Sequence, residues 1–138
     1  MTKQLRKINI FLVAISFVLS IIPYIGAYLV YYFTRTRLGM YRHMVFLNPA
    51  IESEYPINLI RNSIIIVMVI SIIWMSFLAI KKRCKCVLPC FVLSVLSLYY
   101  MIMYNAQLHK GYYISSVLIL IGVIFIDIWL YFIQKNRN

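Results

Sequence analysis

Apolar residues along the chain gather into four runs separated by short charged stretches. The first is Ile8 to Phe33; the second is Asn62 to Ile80, with a start as early as Ile57; the third runs from Val87 to about Tyr104, and the fourth from about Tyr113 to Ile133. A helix needs about 20 apolar residues to cross ~30 Å of hydrocarbon. The pattern therefore predicts an all-α membrane protein with four transmembrane helices, at about 8–33, 60–80, 87–104 and 113–133, joined after the first by an outer loop at 34–59. The first run would make about 39 Å of helix, so it should tilt, or bend at Pro23 with Gly26 three residues on. Its basic start, Lys3, Arg6 and Lys7, also fits a signal peptide. The apolar run continues through Tyr28 to Phe33 with no polar mature start, which favours an uncleaved span.

Cationic loops are retained on the cytosolic side. With the N-terminus inside, that side holds nine cations (Lys3, Arg6, Lys7, Lys81, Lys82, Arg83, Lys85, Lys135 and Arg137) and the outside holds five (Arg35, Arg37, Arg42, Arg61 and Lys110). Both termini are therefore expected in the cytosol. Tyrosines favour the membrane–water interface, and Tyr28, Tyr31, Tyr32, Tyr99, Tyr100, Tyr104, Tyr112 and Tyr113 all fall at span ends that this topology puts outside. They form either an aromatic belt or a ring that grips an external peptide, lipid or sugar.

Composition strengthens the membrane assignment. Of 138 residues 64% are apolar or aromatic and 12% charged, with a mean hydropathy of +0.88; soluble domains sit near half apolar and a quarter charged. The net charge of +11 would point to nucleic acid in a soluble chain. Here topology and lipid headgroups account for it, and nucleic acid is not an expected partner. The length suits one domain. Abundant Ile, Lys, Asn and Tyr, all with A/T-rich codons, suggest a bacterial plasma-membrane protein.

Candidate chemistry is sparse. Asp127 is the one acid inside an expected span, and such residues mark sites by default. It is either a structural carboxylate, paired with a lysine, Tyr131 or a serine, or a proton or cation site. In the outer loop, Leu38, Tyr41, Met44 and Val45 fall at helical spacing among Arg35, Arg37, Arg42 and His43. They could form a short interfacial helix, apolar side down, that Asn48-Pro49 would break. Glu52 and Glu54 follow and read as solvated loop acids pairing with Arg61 or Arg42; with His43 they lack any diagnostic metal spacing, so no metal or other cofactor is expected. Lys81, Lys82, Arg83 and Lys85 form a topogenic anchor that would also attract anionic lipid. Cys84, Cys86 and Cys90 beside it read as reduced thiols or, in a eukaryotic host, lipidation sites. Ser16 and Ser20 in the first span, and Cys90 and Ser94 in the third, are small residues four apart that would let helices approach closely.

No His-Glu-x-x-His, Gly-x-Ser-x-Gly, phosphate-loop or dinucleotide motif occurs. Cys84-x-Cys86 and Cys86-x3-Cys90 do not match the Cys-x-x-Cys pairs of membrane thiol oxidoreductases. In outline the chain resembles several unrelated small bacterial groups: bacteriocin immunity proteins, polyprenyl-phosphate-sugar flippases and small multidrug exporters. The last carry a glutamate in their first span, which this chain lacks. The expected function is non-enzymatic: an accessory, immunity or regulatory subunit. Its outer face (Arg35, Arg37, Tyr41, Arg42, His43, Glu52, Glu54, Tyr99, Tyr100, Tyr104, Tyr112, Tyr113) would contact lipid and a protein or peptide partner, with a homo-oligomer as a further option. A small transporter or channel component using Asp127 is the alternative, and an outer-face enzyme using His43 with Glu52 or Glu54 the third.

Overall fold

The computed structural model describes residues 3–82, 87–105 and 107–137 and contains five helices: α1 (Lys3–Thr36), α2 (Leu38–Glu54), α3 (Ile57–Lys82), α4 (Val87–Met103) and α5 (Tyr112–Arg137). Three segments are long and apolar enough to cross a membrane: Ile10–Thr36 of α1, Ile57–Leu78 of α3 and Tyr112–Gln134 of α5. At 17 residues α4 is shorter, about 26 Å at helical rise.

Each of these four helices buries one narrow stripe. Its members step by three and four residues: Ser16, Ser20, Pro23 and Ala27 on α1; Ile64, Met68, Ser71, Met75 and Leu78 on α3; Val87, Cys90, Ser94, Ser97 and Met101 on α4. On α5 the stripe widens to Tyr112, Ser115, Ser116, Ile119, Val123, Ile126 and Leu130, because this helix touches α1, α3 and α4. On α1 and α4 the buried faces are smaller and more polar than the exposed ones, which carry Ile10, Phe11 and Leu96. That inversion suits lipid: with apolar solvent outside, helices associate by close packing of small residues and by hydrogen bonds rather than by burying leucine. Ser16, Ser20, Ser94 and Cys90 all lie on these stripes.

The closest seam joins α1 to α5. A Cβ placed on Gly122 would stand 2.6 Å from Cε2 of the Tyr24 ring, and one on Gly111 would stand 2.9 Å from Cγ1 of Val30. Glycine leaves room at both positions for these α1 side chains to press against the opposing backbone. Pro23 lies on the same buried stripe, and α1 runs through it without a break.

Long helices that follow one another in the chain run in opposite directions, whereas α3 and α5 lie side by side in the same direction. Tyr31 near the end of α1 meets His109 just before α5, and Arg61 near the start of α3 meets Ile102 near the end of α4. At the other end Phe17 of α1 packs on Trp129 of α5, ring centroids 5.2 Å apart. The first end, which also carries α2, is called the α2 end below.

Segment 34–59 is mostly helix rather than loop: α1 extends to Thr36 and α3 begins at Ile57. One extended residue, Arg37 (φ −112°, ψ 111°), separates α1 from α2. The expectation that Asn48-Pro49 would break a helix is overturned, since α2 continues to Glu54. Pro49 removes one rung of the backbone ladder. Tertiary contacts hold the turn regardless: Asn48 is buried and donates from Nδ2 to the Lys110 carbonyl at 3.0 Å. The chain turns at the next proline, where Tyr55 before Pro56 is extended (φ −125°, ψ 144°), as a residue preceding proline prefers.

Candidate functional site

Two regions of the bundle concentrate polar chemistry. The first is a file of paired side chains along the interior. Tyr100 and Ser115 hydroxyls meet at 2.8 Å near the α2 end, Tyr24 and Ser97 at 3.4 Å further in, and Ser71 Oγ donates to Asp127 Oδ2 at 2.6 Å beyond them. Gly122 admits the Tyr24 ring, so Ser115, Gly122 and Asp127 mark successive depths on α5, separated by about 10 and 7 Å of helical rise. The partner of Asp127 is thus a serine on α3. Its second oxygen, Oδ1, is buried and accepts no hydrogen bond among the described residues. A half-satisfied carboxyl in such surroundings is costly and marks a site candidate.

The second region is the α2 end. Asn105 Oδ1 accepts the backbone N–H groups of Gln107 and Leu108 at 3.1 and 2.9 Å, an Asx turn that folds the α4–α5 connection back. This turn carries His109, which is buried between Tyr31 (4.8 Å between centroids) and Tyr100 (6.5 Å). Burial among these rings holds the imidazole pKa below its usual 6.5, favouring the neutral form. Nε2 of His109 is buried and unpartnered among the described residues. Helix α2 is clipped to the same turn by Asn48 and to α5 by Tyr113, whose hydroxyl donates to Glu52 Oε1 at 2.5 Å.

Beside this clip the start of α3 stands away from α5. An apolar groove of about 440 Å³ opens there, walled by Ile57, Ile60 and Ile64 of α3 and by Ile114, Val117 and Leu118 of α5, with Met101 of α4 also lining it. It adjoins a polar cavity of about 580 Å³ that includes Glu52, Asn58, Asn105 and Gln107. Tyr55, Ile57, Arg61, Tyr112 and Tyr113 line both. Arg61 donates from Nη2 to the Ile102 carbonyl at 3.3 Å, which leaves further guanidinium donors for other groups.

The candidate residues of the sequence divide accordingly. Glu52, Tyr112 and Tyr113 come together at this cleft. Tyr112 is 3% exposed, and its hydroxyl donates to the Met101 carbonyl at 3.0 Å. Tyr100 stacks on Tyr104 and points into the bundle, while Tyr28, Tyr32 and Tyr99 are exposed. Arg35, Arg37, Tyr41, Arg42, His43 and Glu54 lie exposed on the end of α1 and on α2, with Arg35 Nη1 donating to the Tyr31 hydroxyl at 3.0 Å. Of the stripe expected on α2, Met44 alone is buried; Leu38, Tyr41 and Val45 are exposed, and Asn48 supplies the next inward position. His43 is at least nine residues from either glutamate on α2, about 13 Å or more along the axis, out of hydrogen-bonding range. Among the described residues no three His, Cys, Asp or Glu side chains gather into a metal site. Cys90 is buried. Arg83, Lys85, Cys84 and Cys86 fall outside the described residues, and only the helical backbone of Lys81 and Lys82 is described.

Sequence inspection passed over Tyr24 and Ser71, and read Asn48 only as part of a helix break. Gly122 was the available signal for Tyr24: a lone glycine in an apolar helix marks a close approach. Comparison with protein-family models, curated proteins and solved structures finds no match.

Proposed function

We propose that the protein is a non-enzymatic subunit of a bacterial plasma membrane, crossing it four times with both termini in the cytosol, and that it acts by binding a protein or peptide partner in an accessory, immunity or regulatory role. The alternating helix directions and the excess of cations on the terminal side support the topology. The observation that carries the partner reading is the outward face of α2. Leu38 and Phe46 are 76% and 78% exposed there, beside Arg35, Arg37 and Arg42, while the opposite face is fixed to the bundle through Met44 and Asn48. An apolar surface ringed by arginines suits a partner with apolar anchors and acidic flanks. A photo-crosslinking side chain at Phe46, activated in native membranes, should trap one protein or peptide species, and reversing Arg35, Arg37 and Arg42 to glutamate should remove it. Lipid adducts alone would refute the reading.

A second reading draws on Asp127. Its unpartnered Oδ1 and the file of hydroxyls above it would serve a small transporter or channel component in which the carboxyl takes up a proton or cation. None of the cavities described above is lined by Asp127, so partner binding is the better-supported function. Asp127→Asn should abolish flux in reconstituted vesicles under the transport reading; unchanged flux would exclude it.

A further inference from the structure

We propose that the cleft between α2, α3 and α5 is a binding site for a zwitterionic phospholipid whose headgroup ends in a primary ammonium, the phosphatidylethanolamine class. The proposal goes beyond the partner-binding function and stands without it, because it concerns the other side of α2.

The argument begins with the two adjoining cavities. The groove bounded by Ile57, Ile60, Ile64, Val117 and Leu118 offers an acyl chain an apolar wall on both sides. Each cavity has the volume usual for small-molecule sites, about 300–1,000 Å³. They meet at Arg61, four residues into α3 and so about 6 Å along its axis. A guanidinium binds phosphate oxygens with several donors in fixed geometry.

The polar cavity adds a carboxylate. Glu52 and Arg61 both line it, as does Tyr113. They form no ion pair with each other: Arg61 donates to a backbone carbonyl, and Glu52 Oε1 accepts the Tyr113 hydroxyl. Opposite charges held apart on one wall complement a molecule with the same separation, an anionic phosphate and a cationic amine. Glu52 Oε2 can accept an N–H from a primary ammonium, whereas a quaternary choline has no N–H to give. A purely anionic lipid would meet Arg61 favourably and Glu52 unfavourably.

Native mass spectrometry of the full chain, released from detergent micelles holding equal amounts of dioleoyl phosphatidylethanolamine, phosphatidylcholine and phosphatidylglycerol, tests this directly. The ethanolamine lipid should be retained about tenfold over the choline lipid, the effect of one charge-assisted hydrogen bond. Glu52→Gln should erase that preference by lowering retention of the ethanolamine lipid to the level of the choline lipid, whereas Arg61→Gln should weaken all three. Val117→Phe, which fills the groove without touching either charge, should also weaken all three. Equal retention of the ethanolamine and choline lipids by the parent, a preference for phosphatidylglycerol, or an ethanolamine preference that survives Glu52→Gln would each overturn the proposal. Circular dichroism confirms that the variants remain helical. Thermal unfolding of the parent with each lipid added separately gives a second readout: only the ethanolamine lipid should raise the midpoint strongly.

Discussion

The α1–α5 seam and the α3–α5 cleft share one helix and differ in what faces it. At the seam, Gly111, Gly122 and Ala27 let Val30 and the Tyr24 ring press against backbone. At the cleft, isoleucines at 57, 60 and 64 face Ile114, Val117 and Leu118, and the helices stand apart around a groove. Two faces of one apolar helix thus pack in different ways. In lipid it is residue size that determines where a bundle closes and where it stays open.

The largest expected effect comes from closing off the seam. Gly122→Val would drive a side chain into the Tyr24 ring, whose hydroxyl is tied to Ser97, and should cost about 1–3 kcal/mol or more, read as a lower unfolding midpoint in detergent. The matching enlargement at the cleft, Val117→Leu, should stay within about 0.5 kcal/mol of the parent. Equal losses at the two positions would dissolve the distinction between them.

Next in size is the contact of α3 with α5 deeper in the bundle, which rests on Ser71 and Asp127. Ser71→Ala leaves the carboxyl without a partner and should cost about 1 kcal/mol. Adding Asp127→Leu to it should restore much of the loss, because no buried polar group remains unpaired. A double variant no more stable than Ser71→Ala would show that the bond does not couple the helices.

The smallest effect belongs to His109, packed against Tyr31 at the α1 side of the turn. Burial depresses its pKa in the folded state, so the folded protein favours neutral imidazole. Its contribution is present above the unfolded value near 6.5 and is lost as pH falls through the lower folded value. Thermal midpoints should decline as the pH drops from 7 towards 5, and His109→Gln should remove that part of the decline. The cleft, which holds no histidine, should contribute no such step.

Four apolar runs, the Tyr-rich ends and the Ser16/Ser20 and Cys90/Ser94 pairs were legible because period and size are local properties of a sequence. Helix α2 through Pro49 was not. A proline's local preference was outweighed by Asn48 bonding to Lys110, 62 residues away, and by burial of Met44. Asp127 could be singled out by composition, but Ser71 as its partner could not, since nine serines lie in helices α1, α3, α4 and α5. The cleft escaped notice for a similar reason: Arg61 and Glu52 face one cavity only because α2 folds back along the start of α5.

The serine bonds also bear on how the chain enters a bilayer during synthesis. Ser16, Ser20, Ser97 and Ser116 donate to carbonyls of their own helices, so each of those hydroxyls is satisfied before any neighbour arrives. Asp127 has no such local shelter and sits on α5, which emerges after α3. By then α3 is already made and Ser71 is in place, so the residue hardest to insert reaches the membrane after its hydrogen-bond donor has been built.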